Sequence, residues 1–337
     1  MKEASSTDIL SLPGVLGLLS DGRFHSGEEL GELLGVSRAA VWKQLQKLDL
    51  LGLQLESVKG KGYRIPGGLD LLSGSRLHSL LDPEIKQLIK QLDIRLSVDS
   101  TNAEALRQAS QIGAGYLCLA EQQTAGRGRR GRSWVSPFGR NIYLSISWVF
   151  DEGILALEGL SLAVGLVVVE ALEQLGFCGL GLKWPNDILA QNQKLGGVLL
   201  EINGDPAGQC QVVVGVGLNV SMPRGSTSDI TQAWTDLRTL SPAHFDEPGL
   251  GRNQLAASLI NQLLGLLRDY ANCGFGVYRE AWQRRNAHHD QLVELNLPNR
   301  SVVGKVLGVD EKGALRLATD EGEQVFFGGE ISLRAVR

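Results

Sequence analysis

Arginine and glycine alternate in residues 126–134, which read GRGRRGRSW. Glycine permits backbone conformations that are closed to other residues, and it lets N–H groups come close to a bound group. Arginine supplies a permanent, forked cation that matches phosphate and carboxylate oxygens. The segment therefore predicts a loop that binds a polyanion. A solvated basic surface turn is the alternative interpretation.

The same segment satisfies the G-x-G-x-x-G pattern of dinucleotide-binding folds. That motif needs a strand before it and a helix that opens within it. Residues 116–120 predict the strand, but residues 132–137, which read RSWVSP, have no apolar helical period. We therefore reject the dinucleotide fold.

Two further segments place polar residues beside predicted strands: KWPND at 183–187 and KLGGVLLE at 194–201. Each has a purely structural interpretation, since Pro-Asn-Asp is common turn chemistry. Together with the basic loop they form the set that carboxylate activation by ATP needs, because attack on the α-phosphate brings two anions together. The arginines and Lys194 would neutralise the phosphates, while Asp187 would hold a magnesium ion or accept a proton.

The elements that must position these groups alternate between strands and helices without strict βαβ regularity. Strands are predicted at 94–98, 117–121, 141–149 and 212–220, a capped helix opens at 100–104, and a long buried helix covers 155–175. Gly159 and Gly165 in that helix are expected to allow close packing. This order predicts an α+β fold with a mixed sheet in the central domain.

Residues 1–66 carry the signals of a small DNA-binding unit. Ser26 opens a capping-box pattern, and the helix that follows is predicted to stop at Gly35. Ser37 can cap a second helix over residues 38–48. Two short helices joined by a tight glycine-containing turn are typical of a helix-turn-helix.

Two short predicted strands, 53–58 and 63–65, flank the sequence KGKG and complete a winged helix-turn-helix. Between residues 36 and 65 six cations face two anions, although the whole chain has a net charge of −4. We expect the second helix to lie in the major groove of duplex DNA and the hairpin lysines on phosphates. The predicted DNA contacts are Ser37, Arg38, Lys43, Lys47, Lys59 and Lys61. A helical module that docks on protein is the alternative.

The predicted boundaries divide the chain into four parts. Residues 1–66 form the winged helix-turn-helix domain and 67–90 a connector with one short amphipathic helix. Residues 91–285 form the catalytic domain, and 286–337 form a small β-barrel, because five short strands there are separated by regular turn signals.

Composition limits the number of domains and the cellular compartment that we expect for this chain. The 337 residues are 43% hydrophobic, enough for two or three cored domains, and the small net charge makes any basic function local. The four scattered cysteines form no CxxC pair, which predicts buried, reduced thiols in a cytoplasmic protein. The apolar run 159–169 is too short to cross a bilayer, so no membrane role is expected.

On the motifs at 100–102, 126–134, 183–187 and 194–201, the chain resembles the biotin–protein ligase family, in its bifunctional form that also represses the biotin operon. The resemblance implies a class II synthetase-like catalytic domain and an SH3-like barrel behind it. It also implies that ATP activates biotin as biotinyl-5'-AMP, with Mg²⁺, and that biotin is then transferred to a lysine of the biotin carboxyl carrier protein of acetyl-CoA carboxylase.

The resemblance further implies roles for individual residues. Biotin contacts are implied for Ser100, Thr101, Asn102, Gln123, Arg127, Gly128, Arg129 and Lys194. Contacts to ATP or the adenylate are implied for Arg127, Arg129, Arg130, Arg132, Trp134, Asn186, Asn219 and Trp234. Catalysis is assigned to Lys194, Asp187 and Arg129, and Asp187 is also the predicted Mg²⁺ ligand.

A regulatory hypothesis follows. Loops ordered by the adenylate, among them the arginine loop and residues 221–234, would complete a surface for homodimerisation, and the dimer would bind a palindromic operator. Two rival functions remain. A lipoate–protein ligase also adenylates a small carboxylic acid, and a ligand-sensing transcription factor would bind an effector without catalysis.

Overall fold

The computed structural model describes residues 12–204, 208–223, 230–246, 250–297, 300–327 and 332–335. In chain order these residues form a small helical unit with a hairpin, a connector, a central unit built on a mixed sheet and a terminal antiparallel sheet. The α+β architecture predicted from the sequence is confirmed.

The first unit consists of helices α1 (Leu12–Leu19), α2 (Gly27–Leu34) and α3 (Arg38–Leu48) and the hairpin strands β1 (Glu56–Val58) and β2 (Gly62–Arg64). The capping box at Ser26 forms as predicted, and Gly35 ends α2 in the left-handed conformation, with φ 65°. The Ser37 hydroxyl accepts a hydrogen bond from the backbone N–H of Ala40 and so caps α3. This is the predicted winged helix-turn-helix. The predicted strand 53–58 is shorter, because only its last three residues pair.

The connector contains two helices, α4 (Gly74–Leu80) and α5 (Pro83–Leu88), where the sequence predicted one. Pro83 lacks a backbone N–H and cannot continue a helix, but it suits the first turn of a new one. Leu77 and Ile85 from these helices, and Leu81 between them, are buried in the main core. The connector is thus fixed to the central unit.

The central unit is a seven-stranded mixed sheet with strand order β3-β4-β5-β9-β8-β7-β6. Its strands are β3 (Gln91–Arg95), β4 (Tyr116–Ala120), β5 (Ile142–Phe150), β6 (Leu180–Lys183), β7 (Asp187–Ala190), β8 (Gln193–Gly204) and β9 (Cys210–Leu218). Only the pair β3–β4 is parallel. The predicted strand 94–98 is displaced, because the parallel register with β4 uses Gln91 to Arg95 and leaves Val98 in an isolated bridge with Gln123.

Helices cover this sheet: α6 (Thr101–Ile112), α7 (Leu160–Gln174), the short α8 (Leu237–Leu240) and α9 (Pro242–Asp246), α10 (Arg252–Cys273) and α11 (Gly276–Arg284). Helix α7 begins later than predicted, because Gly159 has φ 76° and separates it from the turn Ile154–Leu157. A Cβ on Gly165 would lie 3.3 Å from Leu182 Cδ2, which agrees with its predicted packing role.

The segment Ile154–Gln174 meets the length and apolarity of a membrane span. The expectation from the sequence considered only the run 159–169, which is a part of this longer segment. The apolar side chains of α7 have another role, because ten of them are buried in the main core.

The last unit is a five-stranded antiparallel sheet, ordered β13-β12-β11-β10-β14. The strands are β10 (Leu292–Asn296), β11 (Ser301–Val309), β12 (Leu315–Thr319), β13 (Gly322–Phe326) and β14 (Ser332–Ala335). The indole N–H of Trp184 donates to the carbonyl of Gly313 at 2.9 Å, which ties this sheet to the central unit.

All four cysteines are free, but they are not uniformly buried. Cys118 and Cys210 are buried in strands as predicted, whereas Cys273 is half-buried and Cys178 is exposed. The exposed Cys178 lies in the turn between α7 and β6.

Candidate active site

The arginine loop is closed on itself by backbone hydrogen bonds. Arg127 and Ser133 form an antiparallel bridge, and the N–H of Gly128 donates to the carbonyl of Arg132 at 2.7 Å. Arg130 occupies the left-handed region with φ 58°, inside a short 3-10 turn. No α-helix opens within the loop, so the rejection of the dinucleotide fold is confirmed.

The four arginines of the loop lie in different environments. Arg129 is half-buried, and its guanidinium donates to Asn186 Oδ1 at 3.1 Å. Burial, reinforced by the nearby cations Arg130 and Arg132, lowers the pKa of Arg129. Arg127 pairs with Glu201 at 2.9 Å, and Arg130 and Arg132 are exposed. A bound anion would relieve the charge concentrated here.

Lys194 and Asp187 form a close ion pair with a separation of 2.6 Å, and their side chains are only 17% and 18% exposed. Asp187 begins β7 and Lys194 lies near the start of the neighbouring β8, where the register shifts between Ile188 and Leu189. The ammonium also lies 5.5 Å from the ring centre of Trp134. The sheet therefore brings together the lysine, the aspartate and the end of the arginine loop.

A buried group of neutral polar side chains lies at the start of α6. The backbone N–H and the hydroxyl of Thr101 both donate to Gln123 Oε1, at 2.9 and 3.1 Å. Asn102 donates to Glu201 Oε2 at 2.8 Å. Ser100 is buried as well, and its hydroxyl caps α6. Thr101, Asn102 and Gln123 thus share one polar pocket, while Ser100 already has a structural role.

Sequence reasoning missed three groups that shape this pocket. Ser145 Oγ lies 2.8 Å from the Thr101 hydroxyl and 2.6 Å from Asn102 Oδ1. Ser136 Oγ accepts a hydrogen bond from Gln123 Nε2 at 3.1 Å. Glu201 accepts from both Asn102 and Arg127 and so connects the pocket to the loop. No sequence pattern marks the two serines, because they join the site only through strand pairing and loop closure.

Two glycines on β9 were also missed, although their alternation in VGVG was a usable signal. A Cβ on Gly215 would overlap the side-chain amide of Asn102, and a Cβ on Gly217 would lie 2.6 Å from Trp134 Cε2. These positions leave room for Asn102 and Trp134 to lie flat on the sheet. Because neither glycine has a side chain, Asn102 and Trp134 can pack directly against the backbone of β9.

Asn219 and Trp234 hold the segment around Lys194. Asn219 is buried, and its amide donates to the carbonyls of Thr235 at 3.1 Å and Lys194 at 3.4 Å. Trp234 is half-buried and forms a backbone bridge with Lys194. Residues 224–229, in the segment predicted to close over the adenylate, lie outside the described residues.

The carboxylate of Asp187, the predicted Mg²⁺ ligand, is paired with the ammonium of Lys194. Among the residues described, no group of three or more His, Cys, Asp or Glu side chains could hold a metal ion. The described part of the chain thus offers one predicted carboxylate ligand and no resident metal cage.

The predicted DNA contacts lie on one helix and one hairpin. Arg38 and Lys43 are exposed on α3, Lys59 and Lys61 are exposed at the hairpin tip, and Lys47 is half-buried. Ser37 acts as the cap of α3. Sequence reasoning missed Trp42, whose side chain on the same helix is 54% exposed. An exposed aromatic residue beside cations is typical of a macromolecular contact.

Three family matches cover most of the chain. Residues 94–219 match the biotin/lipoate A/B protein ligase family, residues 14–64 match an HTH domain, and residues 288–334 match the biotin protein ligase C terminal domain.

Individual proteins give longer matches. The chain is 40% identical to the bifunctional ligase/repressor BirA of Salmonella typhimurium, covering 95% of this chain and 97% of that protein. It is also 40% identical to BirA of Escherichia coli K12, covering 95% and 96%. Among solved structures, the biotin protein ligase from Aquifex aeolicus in complex with biotin and ATP aligns with a TM-score of 0.61 and 29% identity, covering 74% of this chain and 100% of that chain.

Proposed function

Since the chain belongs to the biotin protein ligase family, in its bifunctional ligase/repressor form, we propose that the site described above converts biotin and ATP to biotinyl-5'-AMP and pyrophosphate. The biotinyl group then passes to a lysine of the biotin carboxyl carrier protein of acetyl-CoA carboxylase. One observation carries this proposal: a cationic glycine loop, a lysine–aspartate pair and a buried neutral polar pocket meet on one sheet.

The neutral pocket fits the ureido ring of biotin. That ring has one carbonyl and two N–H groups and no charge, so hydroxyls and amides are suitable partners. Thr101, Asn102 and Gln123 supply them, and Ser100 contributes through the fixed start of α6. The valeryl carboxylate then points to Arg127, Gly128 and the half-buried Arg129.

The cationic groups lower the repulsion between the two reacting anions. A carboxylate oxygen of biotin attacks the α-phosphorus, and the bond to the pyrophosphate oxygen breaks. The ammonium of Lys194 separates from Asp187 and stabilises the negative charge that develops at the carboxyl–phosphate junction. Asn186 holds Arg129 in position, while Arg130 and Arg132 bind the outer phosphates.

Mg²⁺ bound to the ATP phosphates would neutralise part of their charge, and such an ion usually takes one or two protein carboxylates and keeps several waters. Asp187 is the carboxylate that would reach it once Lys194 has moved. Trp134 and Trp234 form apolar walls around the adenylate, with Trp234 near adenine. Exclusion of water matters here because a mixed anhydride hydrolyses readily.

In the second step, the amine of the carrier lysine attacks the biotinyl carbonyl, and AMP leaves. Asp187 can accept the proton that the amine loses. The reagents of both steps are cytoplasmic, and we assign the protein to that compartment.

The first unit gives the protein its second function. It binds operator DNA through α3 and the hairpin, with the cations Arg38, Lys43, Lys47, Lys59 and Lys61 on or near the phosphates. The adenylate favours a homodimer, which places two such units on a palindromic site. Biotinyl-AMP thereby represses the biotin biosynthesis operon.

Incubation of the purified protein with labelled biotin, ATP and Mg²⁺ tests the enzymatic function. Biotin-dependent formation of AMP is the expected result. Formation of AMP that depends on lipoate instead would identify a lipoate–protein ligase. If neither biotin nor lipoate leads to AMP formation, the result would favour a ligand-sensing transcription factor without catalysis.

A further inference from the structure

A cavity of about 560 Å³ lies where the connector meets the central unit, just after the winged helix-turn-helix in sequence. Gly67 and Gly68, which follow the hairpin, line it on one side. Arg140 before β5 and Ser221 after β9 line it on another. None of its lining residues belongs to the candidate active site. We call this space the junction cavity.

Three arginines of the junction cavity have no carboxylate partner within the described part of the chain: Arg76, Arg140 and Arg238. Asp70 also lines the cavity, but its oxygens accept from the backbone N–H of Arg252 and from the side chain of Asn253. Both carboxylate oxygens of Asp70 are therefore already engaged in hydrogen bonds at the start of α10.

Arg252, the fourth arginine in the lining, differs from these three. It is buried, pairs with Glu121 at 2.6 Å and donates to the carbonyls of Asp70 and Asn141. Arg252 thus has a full set of acceptors, whereas the Arg140 side chain has none among the described residues.

Arg140 is the most constrained of the unpaired cations. It is half-buried, and burial, together with the like charges of Arg238 and Arg252, lowers its pKa. Arg238 is positioned by the ring of Phe245, which lies 4.9 Å from its guanidinium carbon. Like charges that converge on a concave surface repel one another until an anion binds between them.

We propose that the junction cavity binds a small molecule that carries a pyrophosphoryl group, with the phosphates on Arg140, Arg238 and Arg76. Guanidinium forks match phosphate oxygens in pairs. The volume falls in the range of small-molecule sites, roughly 300–1,000 Å³, and exceeds the need of a single phosphate. Phe245, Leu80 and Leu250 in the lining offer apolar surface for the rest of the ligand.

Calorimetric titration of the full chain with pyrophosphate, and separately with ADP, tests the proposal. Two binding events are expected, one in the arginine loop and one in the junction cavity. Arg129→Ala should weaken the first and preserve the second. Arg140→Gln and Arg238→Gln should each weaken the second at least tenfold. Tighter binding of ADP would indicate a nucleotide as the source of the pyrophosphoryl group, and tighter binding of pyrophosphate the free ion.

Arg284→Gln is the matched control, since Arg284 is exposed and pairs with Glu280 on its own helix. It should leave both events unchanged. Arg238 is exposed, so Arg238→Gln carries the test even if the half-buried Arg140 is needed for folding. Loss of all pyrophosphate binding in Arg129→Ala, or unchanged titrations in Arg140→Gln and Arg238→Gln, would overturn the proposal. Neither result would affect biotin-dependent AMP formation by the wild-type chain, so the proposed ligase function is judged separately.

Discussion

At the scale of single residues, the ion pair Lys194–Asp187 places a charged lysine in a mostly buried position. Lys194 is mostly buried, and an isolated buried ammonium would be costly. Asp187 compensates its charge at 2.6 Å. In the proposed reaction, the ATP phosphates would replace Asp187 as the partner of Lys194.

Lys194→Ala should reduce the rate of biotinyl-AMP formation by about 100-fold or more, the scale of losing one charge-stabilising donor in a transition state. The measurement is pyrophosphate release with saturating biotin and ATP. Arg129→Ala should behave similarly. Lys305→Ala is the control, because Lys305 pairs with Asp290 in the terminal sheet, outside the site. Wild-type rates in both site variants would contradict the assignment.

Gly215→Ala should weaken biotin binding at least tenfold, or about 1.4 kcal/mol. The new methyl group would overlap the amide of Asn102 and push it from the neutral pocket. Biotin affinity is measured by calorimetry. Gly265→Ala is the matched control, because nothing lies within 4 Å of a Cβ at that position in α10. If Gly215→Ala and the wild type bound biotin with equal affinity, the assignment of Asn102 to the biotin site would be contradicted.

At the scale of elements, α3 combines cations with one exposed aromatic residue. Cations on phosphates bind DNA regardless of sequence, whereas an apolar side chain in the groove can contact a thymine methyl group. The positions of Lys43 and Trp42 on one helix suggest this division of roles.

Trp42→Ala and Lys43→Ala should affect operator binding differently. Lys43→Ala should weaken binding to all sequences and reduce the salt slope by about 1. Trp42→Ala should weaken operator binding by about 1–3 kcal/mol and leave the salt slope unchanged. Fluorescence anisotropy at several salt concentrations measures both. If Trp42→Ala weakened binding to operator DNA and to random DNA equally, a base contact by Trp42 would be excluded.

His25 links α2 to the hairpin and makes the first unit sensitive to pH. Its backbone pairs with Tyr63, and its ring lies 3.0 Å from Asp21 and 3.1 Å from Glu29. Burial by itself would lower the pKa of His25, but the hydrogen bonds and charges of Asp21 and Glu29 raise it above its ordinary value.

Because the pKa of His25 is raised on folding, its stabilising contribution is complete below about pH 6.5 and is lost as pH rises through the folded pKa. The melting temperature of the wild type, relative to His25→Gln, should therefore fall as the pH rises above about 6.5 and through the folded pKa. Parallel curves for the two proteins would show that His25 does not contribute.

At the scale of the whole molecule, one buried network joins connector, sheet and helix α10. Glu121 at the end of β4 is 1% exposed, accepts from the backbone N–H of Leu72 and pairs with Arg252, which is 4% exposed. Arg252 in turn donates to Asn141 before β5. Segments far apart in sequence are thus held in register by a single ion pair.

Arg252→Met should lower the free energy of unfolding by about 3–5 kcal/mol, because it leaves the buried carboxylate of Glu121 without a compensating cation. Urea denaturation followed by circular dichroism measures the change. Arg268→Met on the same helix is the control, as Arg268 is exposed and its neighbour Asp269 remains solvated. A loss for Arg252→Met no larger than that for Arg268→Met would show that the network does not stabilise the fold.

The sequence by itself determined the features that depend on local chemistry. The caps at Ser26 and Ser37, the glycine stop at Gly35, the terminal strands, the central strands β4, β5 and β9 and the four motifs of the site are all short-range sequence patterns. They sufficed for the fold class and the family. The family resemblance added the roles that the motifs alone left open.

Only the tertiary structure decided which distant groups meet. Ser145 and Gly215 join the site because β5 pairs with β9, and Glu201 reaches Arg127 because β8 brings it beside the loop. The junction cavity exists because Arg140 and Arg238 come together from separate segments. Such contacts depend on strand register and helix packing over the whole chain, so no local pattern of residues records them.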